Sequence, residues 1–278
     1  MSTTTNYSAT LKQIISNISL YIDLVTYIFG IVGGLGNLIT LTSRKIRQSS
    51  AALYLSCTSA FQLLSILICV SFRLFYDHSG SNLQNQSATF CKVRYYSAVA
   101  PPSLASYYMV LATLDRFLCT SDNAKLRAWS QIKTAKRLAA TMLIVGIVMS
   151  IHILILFDIY NSTCQISPGS IYTFIYAGYL IIVVILLPHC FMFIFSLMTV
   201  RALIKSRKRV NCSTSENPVP IRRRALEFKL IKVMIVQVFL SILLSSLRFG
   251  SASYRNIVFN IVTPTVDQRA AETFAETL

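Results

Sequence analysis

The sequence predicts an all-α fold, a polytopic transmembrane helical bundle, on three observations. Only 13% of the 278 residues are charged while 54% are hydrophobic, whereas a soluble domain carries roughly 25% charge because its surface faces water. The apolar residues gather into runs long enough to cross a hydrocarbon core of about 30 Å. The basic residues behind the net charge of +16 lie between those runs, as they do in cytoplasmic loops. The charge therefore reads as membrane orientation. Membrane lipid is an expected partner and nucleic acid is not.

Five runs, residues 24–43, 48–72, 95–114, 138–157 and 170–200, contain no Lys, Arg, Asp or Glu. A sixth is weaker: its uncharged heart covers only 233–247, so Lys229, Lys232 and Arg248 must snorkel at its ends. All six are continuous rather than alternating in polarity, which argues against transmembrane strands. Pro188 and the Pro101-Pro102 pair remove backbone donors inside spans and predict kinks there.

Lys and Arg in the gaps set the direction. The first gap holds Arg44, Lys45 and Arg47, and the third holds Lys125, Arg127, Lys133, Lys136 and Arg137. The fifth carries eight, from Arg201 to Arg224. The segment before the first span has only Lys12, and the gap at 158–169 has none. The odd-numbered gaps are therefore expected in the cytoplasm and the N-terminus outside, in a multi-pass plasma-membrane protein. The sequons at Asn6, Asn17, Asn85 and Asn161 all fall on the outer side, as glycosylation acceptors should. Residues 1–20 are too polar for a cleavable signal peptide, so the first span is expected to act as its own anchor. The basic loop at 201–224 also suits anionic lipid or an acidic partner surface.

Of seven cysteines, Cys57, Cys69 and Cys190 sit within spans, where a thiol behaves as a small hydrophobe. Cys119 and Cys212 face the reducing side. Cys91 and Cys164 alone lie outside, and the simplest expectation is that they pair.

Several residues, in order and on matching sides, resemble the rhodopsin-like G-protein-coupled receptors. The first span carries Gly36-Asn37. The third begins at Cys91 and ends in Asp115-Arg116-Phe117, twenty-five residues on, a variant of that family's Asp-Arg-Tyr. Cys164 matches the second outer loop cysteine and Pro188 the proline of the fifth span. The run from Leu114 to Cys119, followed by Leu126-Arg127-Ala128-Trp129-Ser130, is similar to invertebrate FMRFamide-type peptide receptors. The resemblance covers roughly residues 20–248. It implies an outer segment at 1–20, a rhodopsin-like transmembrane domain at 21–249 and a polar tail at 250–278.

The sequence also departs from that pattern. The second span offers Gln62 where an aspartate is usual, the fourth has no tryptophan, and the sixth lacks the aromatic-proline element. No seventh span follows Arg248, because Asp267, Arg269, Glu272 and Glu276 interrupt the remainder. The expectation is a receptor whose seventh span is missing or truncated, with signalling impaired.

The resemblance implies roles. Asp115, Arg116 and Phe117 would form the switch toward a heterotrimeric G protein, with Asp115 neutralising Arg116 at rest. Asn37 would be a polar joint between helices, or an asparagine tolerated in a glycine-rich interface. Ala98 stands where amine receptors hold an aspartate, which favours an extracellular peptide as ligand. Tyr95, Tyr96, Asp77 and Asp158 would line the outer mouth, or are interfacial tyrosines and loop charges. His78, His152 and His189 lack metal-ligand spacing and no phosphate loop occurs, so neither an enzyme nor a cofactor is expected. The alternatives are a transporter or channel-like bundle, which should show repeated halves and midplane charge, and a non-signalling copy that dimerises with full-length receptors.

Overall fold

The computed structural model describes residues 2–43, 49–78, 83–121, 123–160, 162–167, 170–211, 236, 239–244 and 246. It is mostly helical, and four of its helices are long and apolar enough to cross a membrane: Leu20–Thr42, Ser50–Phe75, Ile132–Leu156 and Ile171–Ala202. Much of the sixth run, most of the basic loop at 201–224 and the tail at 250–278 lie outside the described residues.

Helix α1 (Ser2–Thr42) reaches back beyond its apolar stretch to Ser2. Its side chains Ile28, Phe29, Val32 and Ile39 are exposed, a surface that suits lipid and would be a liability in water. It rests on the second span through Gly30 and Gly34, where added Cβ atoms would meet Ile66 and Leu63. The second span is α2 (Ser50–Ser65), a π-helical turn (Ile66–Val70) and α3 (Ser71–His78). A short α4 (Leu83–Gln86) leads into α5 (Ala88–Thr120), capped by Ser87, whose hydroxyl accepts from the Phe90 N–H. Then come α6 (Ala124–Ala128) and α7 (Ile132–Leu156). Strands β1 (Phe157–Tyr160) and β2 (Thr163–Ile166) form an antiparallel hairpin, an exception to the all-α expectation outside the spans. Next come α8 (Ile171–Gly178), a π-helical segment (Tyr179–Leu186) and α9 (Leu187–Asn211), and residues 239–244 are again helical.

Helix α5 is the central post. At 1.5 Å per residue its 33 residues span about 50 Å. It is less apolar than the four spans because its surroundings are protein: Ala100, Ser103, Ala105 and Ala112 are buried and let neighbouring helices approach. Toward its C-terminal end, Leu104, Tyr108 and Ala112 pack with Tyr54, Ala139 and Met192. Toward its start, Cys91 and Val99 pack with Ile153, Phe157, Tyr176 and Leu180.

The prolines stand within continuous helical segments. Helix α5 continues through Pro101 and Pro102 without a break. In an α-helix Pro101 leaves the Ser97 carbonyl without its usual donor, and the Cys69 thiol donates to that carbonyl at 3.3 Å. Just before Pro188 the chain is in π register, with Leu187 N–H donating to the Ile182 carbonyl. The same register makes Val183 the carbonyl that Pro188 cannot serve, and the Tyr107 hydroxyl donates to it at 2.6 Å. Side chains of neighbouring helices thus satisfy the freed backbone groups, which a nonpolar medium requires.

Candidate functional site

The two ends of α5 carry the residues singled out in the sequence. At its start, Cys91 and Cys164 form a disulfide with Cα atoms 5.7 Å apart, within the range such a bridge needs. It fastens the β1–β2 hairpin to α5. Asn85 adds a second tie, its Oδ1 accepting from the Cys164 N–H at 3.1 Å. Tyr95 stacks on Phe157 with ring centroids 3.9 Å apart, and Tyr176 meets the same ring edge-on at 5.2 Å. These rings are occupied in packing the hairpin down, while Tyr96 and Ala98 are half-buried beside them. Asp158 is paired with Lys92 at 3.4 Å. Its carboxyl is held below the usual carboxylate range, first by the Ile159 N–H at 2.8 Å and then by Lys92. The side chain of Asp77 lies outside the described residues, as does Asn161; Asn6 and Asn17 lie on α1 with their side chains likewise undescribed.

Isolated charges near this end also find each other. Arg73 on α3 lies 3.3 Å from the buried Asp23 of α1, clamping the first span to the second. Nothing in the motif reading pointed to this pair. The available signal was the position of two opposite charges at the same end of consecutive spans.

At the other end of α5, Asp115 is 4% exposed. Its Oδ1 accepts from the Ser130 hydroxyl at 2.6 Å, while its buried Oδ2 has no hydrogen-bond partner among the described residues. Arg116 reaches Ser49 at the start of α2 through a long 3.5 Å contact, and its buried Nε has no hydrogen-bond partner among the described residues. The expected neutralisation of Arg116 by Asp115 is therefore not made as an ion pair. Adjacent residues on a helix point in different directions, and here each engages a serine from a different element. Phe117 faces α9, with its ring 6.4 Å from Phe195 and parallel to it. The exposed side chains Lys125, Arg127, Lys133, Lys136 and Arg137 follow in α6 and α7.

Two further residues stand apart from expectation or outside it. Asn37 faces outward from α1, exposed, rather than joining another described helix. His189 is buried, and its Nδ1 must donate to the Ile185 carbonyl at 2.6 Å. Its Nε2 lies 3.2 Å from the Ser241 hydroxyl oxygen, which ties α9 to the helical residues 239–244.

No protein-family model matches this chain, and no curated protein matches it.

Proposed function

We propose that this protein is a rhodopsin-like receptor that passes an extracellular, peptide-borne signal to a heterotrimeric G protein, with its N-terminus outside the plasma membrane. The observation that carries the reading is the two-ended construction of α5. One end is bound by the Cys91–Cys164 disulfide to a hairpin between α7 and α8. The other presents Asp115, Arg116 and Phe117 to side chains from α2, the segment before α7, and α9. A movement of the hairpin has a rigid helix through which to reach the polar contacts at the far end. Those contacts are few and broken cheaply, as a two-state element requires. The basic residues beside Arg116 favour that end as cytoplasmic. Receptor dimers and glycans at Asn6, Asn17 and Asn161 are compatible with this orientation.

The test is basal nucleotide exchange by a panel of heterotrimeric G proteins in reconstituted membranes. Asp115→Asn should raise exchange several-fold by weakening the hold on Ser130, and Arg116→Ala should remove it. Indistinguishable exchange from the native chain and both variants would refute the proposal.

A further inference from the structure

The Ser130 hydroxyl sits where three elements meet. It donates its one proton to Asp115 Oδ1 at 2.6 Å, and lies 2.8 Å from Cys119 Sγ and 3.2 Å from Ser50 Oγ. With its proton committed, its oxygen can only accept from the Cys119 thiol and the Ser50 hydroxyl. One donation and two acceptances exhaust what a hydroxyl can make. Ser130 is thus the pin that holds the short segment containing α6 against the ends of α5 and α2. The segment itself is a surface element: Lys125, Arg127 and Trp129 are exposed, Ser130 is half-buried in the turn before α7, and Lys133 follows, exposed. Arg127 stands one turn before the serine, its carbonyl accepting from the Ser130 N–H at 3.2 Å.

We infer that Ser130 is a phosphorylation site whose modification releases this segment from α5. The inference rests on the proposed orientation, which places this end where ATP is available. The cationic flank of Lys125, Arg127 and Lys133 suits a serine kinase with an acidic substrate groove. In the step, Ser130 Oγ bonds to the γ-phosphorus of ATP and the bond from that phosphorus to the β–γ bridging oxygen breaks. The hydroxyl proton passes to the kinase's base, and ADP leaves. The product carries about −1.5 to −2 charges near neutral pH and exposes acceptor oxygens where the donor was. Opposite Asp115 Oδ1 an attractive contact becomes acceptor against acceptor. The phosphate instead finds donors in the basic flank of its own segment and of α7, Lys125, Arg127 and Lys133, which are exposed. Releasing the pin also removes the Ser130 contact of the Cys119 thiol.

The full chain, reconstituted in sealed vesicles, is treated with Mg-ATP and the catalytic domain of a serine kinase that selects basic residues before its target. Peptide mass spectrometry reads phosphate at Ser130 and the rate at which a membrane-impermeant maleimide labels Cys119. Expected are phosphate at Ser130, absent in Ser130→Ala, and Cys119 labelling faster by roughly fivefold or more, as loss of one ordinary hydrogen bond gives. Asp115→Ala, which unpins the hydroxyl, should accelerate incorporation. If Cys119 is labelled from the Arg116 side exposed to kinase but Ser130 stays unmodified, the inference fails and the orientation stands. Phosphate at Ser130 with unchanged Cys119 labelling overturns the release. A protein whose α6 segment is reached only from the outer face of intact cells overturns the orientation, and the inference with it.

Discussion

Glycine-to-alanine substitution measures how closely each helix pair approaches, because the same methyl meets different neighbours at different sites. At Gly146 on α7 the new Cβ would lie 3.0 Å from Leu104 Cγ and nearer still to its Cδ2. Leu104 is only 3% exposed, so it has little room to withdraw. Overpacking of this kind costs about 1–3 kcal/mol, set against a gain of roughly 1 kcal/mol in helix propensity for Ala over Gly. At Gly33 and Gly36 nothing lies within 4 Å, so only the gain operates. Gly146→Ala should therefore be less stable than Gly36→Ala by about 1–3 kcal/mol, read from thermal unfolding of the purified protein in one detergent. Leu104→Ala alone should cost about 2–5 kcal/mol through the cavity it leaves. In the Gly146→Ala background it should cost less, because the added methyl occupies part of that cavity. Equal stability of Gly146→Ala and Gly36→Ala would refute the close approach of α5 and α7. So would a double-mutant cycle additive within roughly 0.5 kcal/mol.

Three further outcomes follow from the contacts described. Replacing Cys91 or Cys164 by Ser opens a cross-link over a sequence separation of 73 and should lower stability by up to about 4 kcal/mol, seen as a lower unfolding midpoint that reductant no longer changes. Tyr107→Phe leaves the Val183 carbonyl beside Pro188 without its donor and should cost about 1–3 kcal/mol; an unchanged midpoint would show that another donor serves that carbonyl. Asp158, with its carboxyl depressed first by the Ile159 N–H and then by Lys92, contributes stability that is present above the ordinary carboxylate pKa of about 3.9 and lost as pH falls through its lower folded value. The midpoint of Asp158→Asn should therefore lie below that of the native chain at pH 7, and the two should converge only in acid below about pH 4; a gap that persists unchanged to pH 3 would contradict the assignment.

The helical class, the positions of the strongest spans and the pairing of Cys91 with Cys164 were legible from the residues alone. Each depends on something local or on elimination: a run without charge, or two thiols left on one side. The switch was legible as a motif but not as a geometry. Asp115 and Arg116 are neighbours in sequence, and that proximity suggested an ion pair. The helix turns their side chains apart, and Ser130 and Ser49, distant along the chain, take them instead. Tyr95 was legible as an aromatic near the outer mouth, yet its ring is spent on Phe157. The sequon at Asn85 was legible as a glycan acceptor; that its amide oxygen also holds the Cys164 backbone was not.

Hydropathy by itself determined that this chain is mostly helical with helices long and apolar enough to cross a membrane, because the cost of placing a charge in hydrocarbon acts on each segment independently. Only the tertiary structure decided how polar groups within the bundle are satisfied. Asp23 meets Arg73, Cys69 serves the carbonyl freed by Pro101, and Tyr107 serves the one freed by Pro188. These partners come from different helices, with no fixed spacing to announce them. They are found because a backbone group or charge shielded from water must bond to whatever the packing of its neighbours brings within reach.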